Sequence, residues 1–418
     1  MSERRRRFRP FATASHLGRP ALPVLLLALA FLMSCLGRQQ IQPASAVTLL
    51  LVGLAGYWEV RRRDWGPALV AMTLTLLGWV MLERLDTELA LRQAVWILVA
   101  LASRNLIGNA RFQWRRHLPR LVMPLALLIA ALQTTVFVAG TERHGAKNWV
   151  MVGGLSVQPG EFVKILLVLF LAALFSRYRH LMLPRAGRRW PHPSLLLLAL
   201  VSLLVEATLV WQKDLGMALL SGLVLLAMFY LATGRLDLCG WAVGAGGVGA
   251  VLAVLAFPHV RLRLQSWLSP FEDPLGVGYQ SAQAIYALSA GQLLGHGWGR
   301  GDPDLIPEAA TDFITVAMVE ELGLLGFLAV LLLLALLVGW CFVVALHCRD
   351  ELSCFVAAGL GSIFAAQTLI VVGGCLRLMP LTGMTLPFVS YGGSSLLASW
   401  VSLALLEQIH QEQKGRAC

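Results

Sequence analysis

An all-α polytopic membrane protein is the fold class that the sequence predicts, and three observations predict it. The 418 residues are 57% hydrophobic and only 14% charged, against roughly a quarter charged in soluble domains. Apolar runs recur along most of the chain, each near the length of about 20 residues that a helix needs to cross a bilayer. Basic residues collect in alternate gaps between those runs. A cytosolic enzyme and a secreted domain are both excluded. The net charge of +11, from 34 basic and 23 acidic side chains, would suggest nucleic acid in a soluble protein. Here the positive-inside rule accounts for it, and no nucleic-acid partner is expected.

The runs lie near 21–36, 44–60, 66–83, 88–103, 121–140, 157–176, 194–211, 215–232, 240–258, 313–346, 352–374 and 385–407. The stretch from Asp312 to Leu346 is too long for one crossing at about 1.5 Å per residue, so its first two turns are expected to project from the hydrocarbon. With a cytoplasmic N-terminus, the inside gaps, including Arg104 to Arg120, hold 23 of the 34 basic residues. That bias supports an even number of crossings with both termini inside. Arg4 to Arg7 and Arg9 precede the first run in the charge order of a signal peptide, and Leu32-Met33-Ser34-Cys35 is a weak lipoprotein-type site. An uncleaved signal anchor is expected, because further spans follow. The seven cysteines are scattered, without a C-x-x-C pair or metal-ligand spacing, and read as apolar fillers or free thiols.

One outside segment is long, from about Pro258 to Thr311. It holds Trp267, Pro270, Phe271, Pro274 and Gly276, then an amphipathic stretch with Tyr279, Ala282, Ile285 and Leu288 at helical spacing, then a turn rich in glycine from Gly291 to Gly301. Such a segment is expected to lie in the interface or dip into the bundle.

Ionisable groups at membrane depth cost about 2.5–3.5 kcal/mol each on insertion scales, so each needs a partner, a wet cavity or a task. Glu161 and Lys164 sit three apart on one helical face, as a structural ion pair or as the lining of a substrate cavity. Asp214 either caps the helix that follows or takes part in chemistry. Asp312 stands where the outer loop meets a span. It could cap that helix, yet apolar neighbours would raise its proton affinity, as a general base requires. Glu320 and Glu321 follow about 12 Å along the axis and should face the protein interior. Ser390-Tyr391-Gly392-Gly393-Ser394-Ser395 lies inside an apolar run, where small residues permit tight packing and nothing local would activate Ser390.

Seven motifs stand in order: Gly145-Ala146-Lys147-Asn148-Trp149, Gln158 to Lys164, Lys213-Asp214-Leu215-Gly216, Asp273-Pro274-Leu275-Gly276-Val277-Gly278-Tyr279-Gln280, Thr311-Asp312-Phe313, Glu320-Glu321-Leu322-Gly323 and Leu386 to Ser394. Together they resemble the SEDS family of shape, elongation, division and sporulation proteins, of the FtsW/RodA type. The resemblance implies a ten-helix core over residues 66–408, with its large extracytoplasmic loop at about 258–311. Residues 1–65 would then be a basic cytoplasmic segment with two extra transmembrane helices, and 409–418 a cytoplasmic tail.

The resemblance also implies a peptidoglycan glycosyltransferase of the bacterial cytoplasmic membrane that polymerises lipid II, usually beside a class B penicillin-binding protein. Asp312 takes the place of the family's catalytic carboxylate. Glu161 and Lys164 fall on the acid and base flanking its central cavity, and Asp214 on its Q-P-D-L-G aspartate. The chain departs from the pattern at Gly160, Lys213, Ala309-Ala310, Asn148 and Gln292, where the family usually has Ser, Pro, Arg-His, Arg and Gly. Asp312 is the expected base, Arg263 the expected cation for the leaving diphosphate, and Lys147 and Arg261 its reserves, while Ser390, Tyr391, Glu320 and Glu321 are substrate-binding candidates. A divalent ion, Mg or Mn, is the alternative source of positive charge, and no ligand spacing identifies a metal site. A lipid II flippase and an inactive scaffold for a penicillin-binding protein are the competing readings.

Overall fold

The structure is a computed structural model that describes Gly53 and residues 66–109, 114–143, 146–153, 155–182 and 192–415. The two spans expected before residue 66, and the signal-anchor reading with them, lie outside the described residues.

From residue 66 the apolar runs become helices in the expected order: α1 (Gly66–Leu85), α2 (Thr87–Asn109), α3 (Val122–Ala139), α4 (Pro159–Met182), α5 (Pro193–Trp211), α6 (Leu215–Thr233) and α7 (Leu236–Ala256). The outer segment supplies α8 (Pro258–Leu268) and α9 (Tyr279–Gly291), and α10 (Ile314–His347), α11 (Glu351–Cys375) and α12 (Gly393–Gly415) complete the bundle. Nine of the described helices, α1 to α7, α10 and α11, are long and apolar enough to cross a membrane. α12 occupies the tenth run, packed along α2. Helices satisfy their own backbone groups, which is why lipid selects them. α1, α4 and α11 form the buried centre, whereas α7 has no buried residue.

Four local expectations are revised. A three-stranded antiparallel sheet, β1 (Gly140–Arg143), β2 (Ala146–Val152) and β3 (Leu155–Val157), joins α3 to α4, a short β-branched and aromatic stretch outside the spans that is added to the helical bundle. The last run does not start as helix at 385. Pro380 and Pro387 interrupt it, Arg377, Gly383 and Phe388 have positive φ, and α12 begins only at Gly393, which places Ser390 and Tyr391 in a loop and continues as helix through most of the expected tail. Arg104, counted among the inside gaps, is fully buried in α2. Its guanidinium pairs with Glu407 on α12 at 2.9 Å and lies 5.7 Å from the Trp400 ring centroid.

The fourth revision concerns α10. Its excess length is divided by a break at Gly323, whose φ of 72° and ψ of −178° interrupt the helical path. The backbone groups released there are taken up by the glycine-rich turn. Leu324 and Leu325 N–H donate to the Gln292 and Leu293 carbonyls, and His296 and Gly297 N–H donate to the Glu320 and Glu321 carbonyls, all at 3.0–3.2 Å. Irregular backbone is tolerated here because these exchanged hydrogen bonds satisfy it, while the side chains of Leu293, Leu294, Leu324 and Leu325 around the break stay exposed. α9 buries Ser281, Ala282, Ala284, Ala287 and Gly291, so of the expected apolar face only Ala282 is fully buried, and Gly291 brings the helix against Val319 of α10.

A Cβ on Gly323 would stand 2.4 Å from both Gly295 N and Leu293 O. Gly323→Ala should therefore lower the thermal unfolding midpoint in detergent, with backbone strain alone costing about 1–3 kcal/mol. Gly240→Ala on α7, where an added Cβ meets nothing within 4 Å, should leave the midpoint unchanged or higher.

Candidate active site

The turn that leads into α10 places Asp312 at the mouth of the helix without spending its side chain. Phe313 occupies the N-cap position and makes no side-chain cap, so the capping alternative for Asp312 fails. Two backbone contacts hold the turn. Ser390 Oγ donates to the Thr311 carbonyl at 2.6 Å and accepts from Leu386 N–H at 2.8 Å, and Tyr391 N–H donates to the Ala310 carbonyl at 2.9 Å. Ser390 is thus committed to positioning the segment before Asp312, and nothing in its surroundings makes it a nucleophile.

Asp312 is half-buried in the wall of a crevice of about 230 Å³ that also exposes Arg263, Ser266, Trp267, Gln280 and Arg377. Burial pushes its carboxyl up to about 7, the Glu308 carboxylate pushes the same way, and the Arg263 guanidinium and the Thr311 hydroxyl oppose them. Arg263, on α8, donates Nη1 to the Leu381 and Thr382 carbonyls at 3.3 and 3.2 Å. Both charges flank Gly383, where a Cβ would lie 3.5 Å from Asp312 Oδ2 and 3.7 Å from Arg263 Nη2. A side chain at that position would fill the space between them.

The other candidates surround the crevice or stand away from it. Asp214 caps α6 through Met217 N–H at 3.1 Å and accepts from Asn148 Nδ2 at 2.7 Å and Gln158 Nε2 at 3.2 Å. Burial pushes its carboxyl up, against those hydrogen bonds. Asn148 supplies a neutral donor there. Glu161 and Lys164 form a buried ion pair at 2.5 Å, and Lys164 also donates to Gln367 Oε1 at 2.9 Å, whose amide reaches the Thr385 carbonyl at 2.8 Å. The pair therefore ties α4 to α11 and to the loop before α12. Lys147 is exposed on β2 with its ammonium on the Phe137 carbonyl at 3.0 Å, and Arg261 is exposed on α8; neither lines the crevice.

Glu320 and Glu321 face the interior as expected, but they hold protein. Glu320 accepts from Asp302 N–H at 3.0 Å, and Glu321 accepts from Gly299 N–H at 3.2 Å and pairs with Arg84 at 3.1 Å. Their partners are the turn that repairs the α10 break, away from the crevice of Asp312. Sequence reasoning missed Arg377, whose guanidinium donates to the Trp267 carbonyl at 2.6 Å while the Trp267 indole donates to the Arg377 carbonyl at 2.9 Å. A lone cation just past an apolar run was the available signal. Glu206 in α5 was also missed. It accepts from Ser221 Oγ at 2.8 Å, and the signal was an acid inside the run 194–211. Among the described residues no group of three or more His, Cys, Asp or Glu side chains converges in a way that could hold a metal ion.

Fold and site define an integral membrane protein that holds one titratable carboxyl and one guanidinium on a crevice at one end of its bundle, a pairing suited to accept a proton and stabilise a developing anion. Comparison with known proteins narrows this class. The FtsW/RodA/SpoVE family, described as cell cycle proteins, matches residues 65–415. The peptidoglycan glycosyltransferase RodA of Mycobacterium tuberculosis is 39% identical over 358 residues, covering 81% of this chain and 76% of the relative. The stage V sporulation protein E of Bacillus subtilis is 33% identical over 319 residues, covering 76% and 85%. Among solved structures, a chain described under "Structural coordination of polymerization and crosslinking by a peptidoglycan synthase complex" superposes with a TM-score of 0.70 at 30% identity, covering 84% of this chain and 98% of that one. The rod shape determining protein RodA of Thermus thermophilus gives 0.59 at 28%, covering 84% and 97%. The chain belongs to the FtsW/RodA/SpoVE family.

Two outcomes are expected. Arg263 holds the Asp312 carboxyl down, so Arg263→Gln should move the acid limb of the pH–activity profile to higher pH and lower the plateau rate. Lys164→Met strands a buried Glu161 carboxylate and should destabilise by about 3–5 kcal/mol in equilibrium unfolding, whereas the double variant Glu161→Gln/Lys164→Met should recover much of that loss.

Proposed function

We propose that this chain is a peptidoglycan glycosyltransferase that joins lipid II units into glycan strands, with Asp312 as general base. The observation that carries the reading is a half-buried carboxyl raised to about 7 beside a cationic crevice, in a chain that belongs to a family whose similar members bear that activity in their names.

The acceptor sugar hydroxyl attacks the anomeric carbon of the donor, the bond from that carbon to the polyprenyl diphosphate breaks, and configuration inverts. Asp312 removes the hydroxyl proton, and at a pH near its own proton affinity it is deprotonated often enough to act and basic enough to be useful. Arg263 balances the charge that grows on the leaving diphosphate. A magnesium or manganese ion held chiefly by the substrate's phosphates is the alternative source of that charge, since such ions take few protein ligands when phosphates are present. Ser390 and Tyr391 keep the base in place from behind.

The crevice opens at the end of the bundle reached by the long loop, and the bias of basic residues toward the other gaps supports taking that end as extracytoplasmic, with both termini in the cytoplasm. Polyprenyl tails would lie between helices in lipid while the sugars meet at the interface. The partner is a class B penicillin-binding protein. This assignment is supported by the resemblance to a chain from a complex described as coordinating polymerization and crosslinking.

Asp312→Asn, purified and still folded, should lose lipid II elongation by about 10²–10⁴-fold. The sign of the stability effect is separate. A carboxyl raised in the folded state favours folding below its unfolded value and loses that contribution as pH rises through about 7. Asp312→Asn should therefore be no less stable than the parent at pH 8. Full elongation by the variant would remove Asp312 as base, and translocation of lipid II in sealed vesicles without glycan product would favour a flippase.

A further inference from the structure

A second cavity lies at the other end of the bundle. α11 finishes beside Asp312, where Cys375 Sγ donates to the Asp312 carbonyl, so Glu351 at its start marks the opposite face. There the approach to α3, the last turns of α4 and the start of α11 border an open depression of about 570 Å³, lined by Arg116, Arg120, Arg177, Ser176, Glu351 and Leu352. The one acid in that wall, Glu351, pairs with Arg179 rather than with Arg116, Arg120 or Arg177. Arg177 donates to the Pro119 carbonyl at 3.2 Å and keeps its charge over the cavity. The ion pairs described nearby engage Arg115 and Arg179, whereas Arg116 and Arg120 are exposed. Directly after Arg120 the surface turns apolar, with Leu121 39% and Met123 55% exposed at the start of the membrane helix.

We propose that this cavity binds the headgroup of an anionic phospholipid in the leaflet opposite Asp312. Three guanidiniums present planar donor sets matched to phosphate oxygens, and Leu121 and Met123 offer the apolar flank along which acyl chains leave. Basic pockets between spans on the inner face suit such headgroups. A free anion would use only half of these features. The site stands apart from the crevice of Asp312, and its occupancy can be read without any glycosyl transfer.

The test titrates the delipidated full-length protein with phosphatidylglycerol or phosphatidylcholine and counts bound lipid by native mass spectrometry. Phosphatidylglycerol should bind at least about 30-fold more tightly. R116Q/R120Q should lose about 30-fold of that affinity with little change toward phosphatidylcholine, and R116K/R120K, which keeps the charge but not the planar donor set, should lose only part of it. Equal binding of the two lipids by the parent protein, or an undiminished preference in R116Q/R120Q, would overturn the assignment. Displacement of phosphatidylglycerol by inorganic phosphate at matching concentration would overturn it too, as would displacement by an acidic peptide. None of these readouts depends on the polymerase assignment.

Discussion

The placement of one carboxyl group, half out of water at the rim of a membrane bundle, governs the rest of this structure. An acid in bulk water would be a weak base at neutral pH, and one sealed in lipid would stay protonated and unreachable. Asp312 lies between these limits because the turn before α10 is pinned from behind by Ser390 and Tyr391 and opens in front onto the crevice. Arg263, anchored on the Leu381 and Thr382 carbonyls, limits how far burial raises it. The same cation then faces whatever negative charge a bound substrate brings.

The unusual backbone serves that placement. α10 is too long to remain one straight span, and its break at Gly323 is made tolerable by a glycine-rich turn that returns the lost hydrogen bonds. Glu320, Glu321 and Arg84 lock the turn with charges that would otherwise be costly at that depth. On the other flank, Glu161, Lys164 and Gln367 join α4, α11 and the loop before α12, from which Ser390 and Gly383 reach the site. The structural ion pairs and Asp312 therefore differ in one respect: the pairs have spent their charge on protein, whereas the Asp312 carboxyl lines an open crevice.

Much of this was legible in the sequence because lipid leaves few options for a backbone. Helices follow directly from runs of about 20 apolar residues, and from residue 66 they appear in the expected order. Asp312 was legible because an acid stood alone at a junction between a loop and a span. Partnerships across the fold were not legible. Nothing local says that Glu321 meets Arg84 or that Arg104 meets Glu407, since each pair joins distant segments. Hydropathy also read the last run as one helix, because Leu386, Phe388 and Val389 are as apolar in a loop packed inside protein as in a span. Arg377 was signalled only as a lone cation just past an apolar run, and its reciprocal bonds with Trp267 join segments too far apart in the chain to be read from it.

The most direct measurement of the central claim is the ionisation of the Asp312 carboxyl itself, followed by infrared difference spectroscopy of the parent protein against Asp312→Asn across a pH titration in membranes. A protonated-carboxyl band that belongs to Asp312 and vanishes with a midpoint near pH 7 is the expected result. A group already ionised at pH 5, or one still protonated at pH 9, would contradict the account.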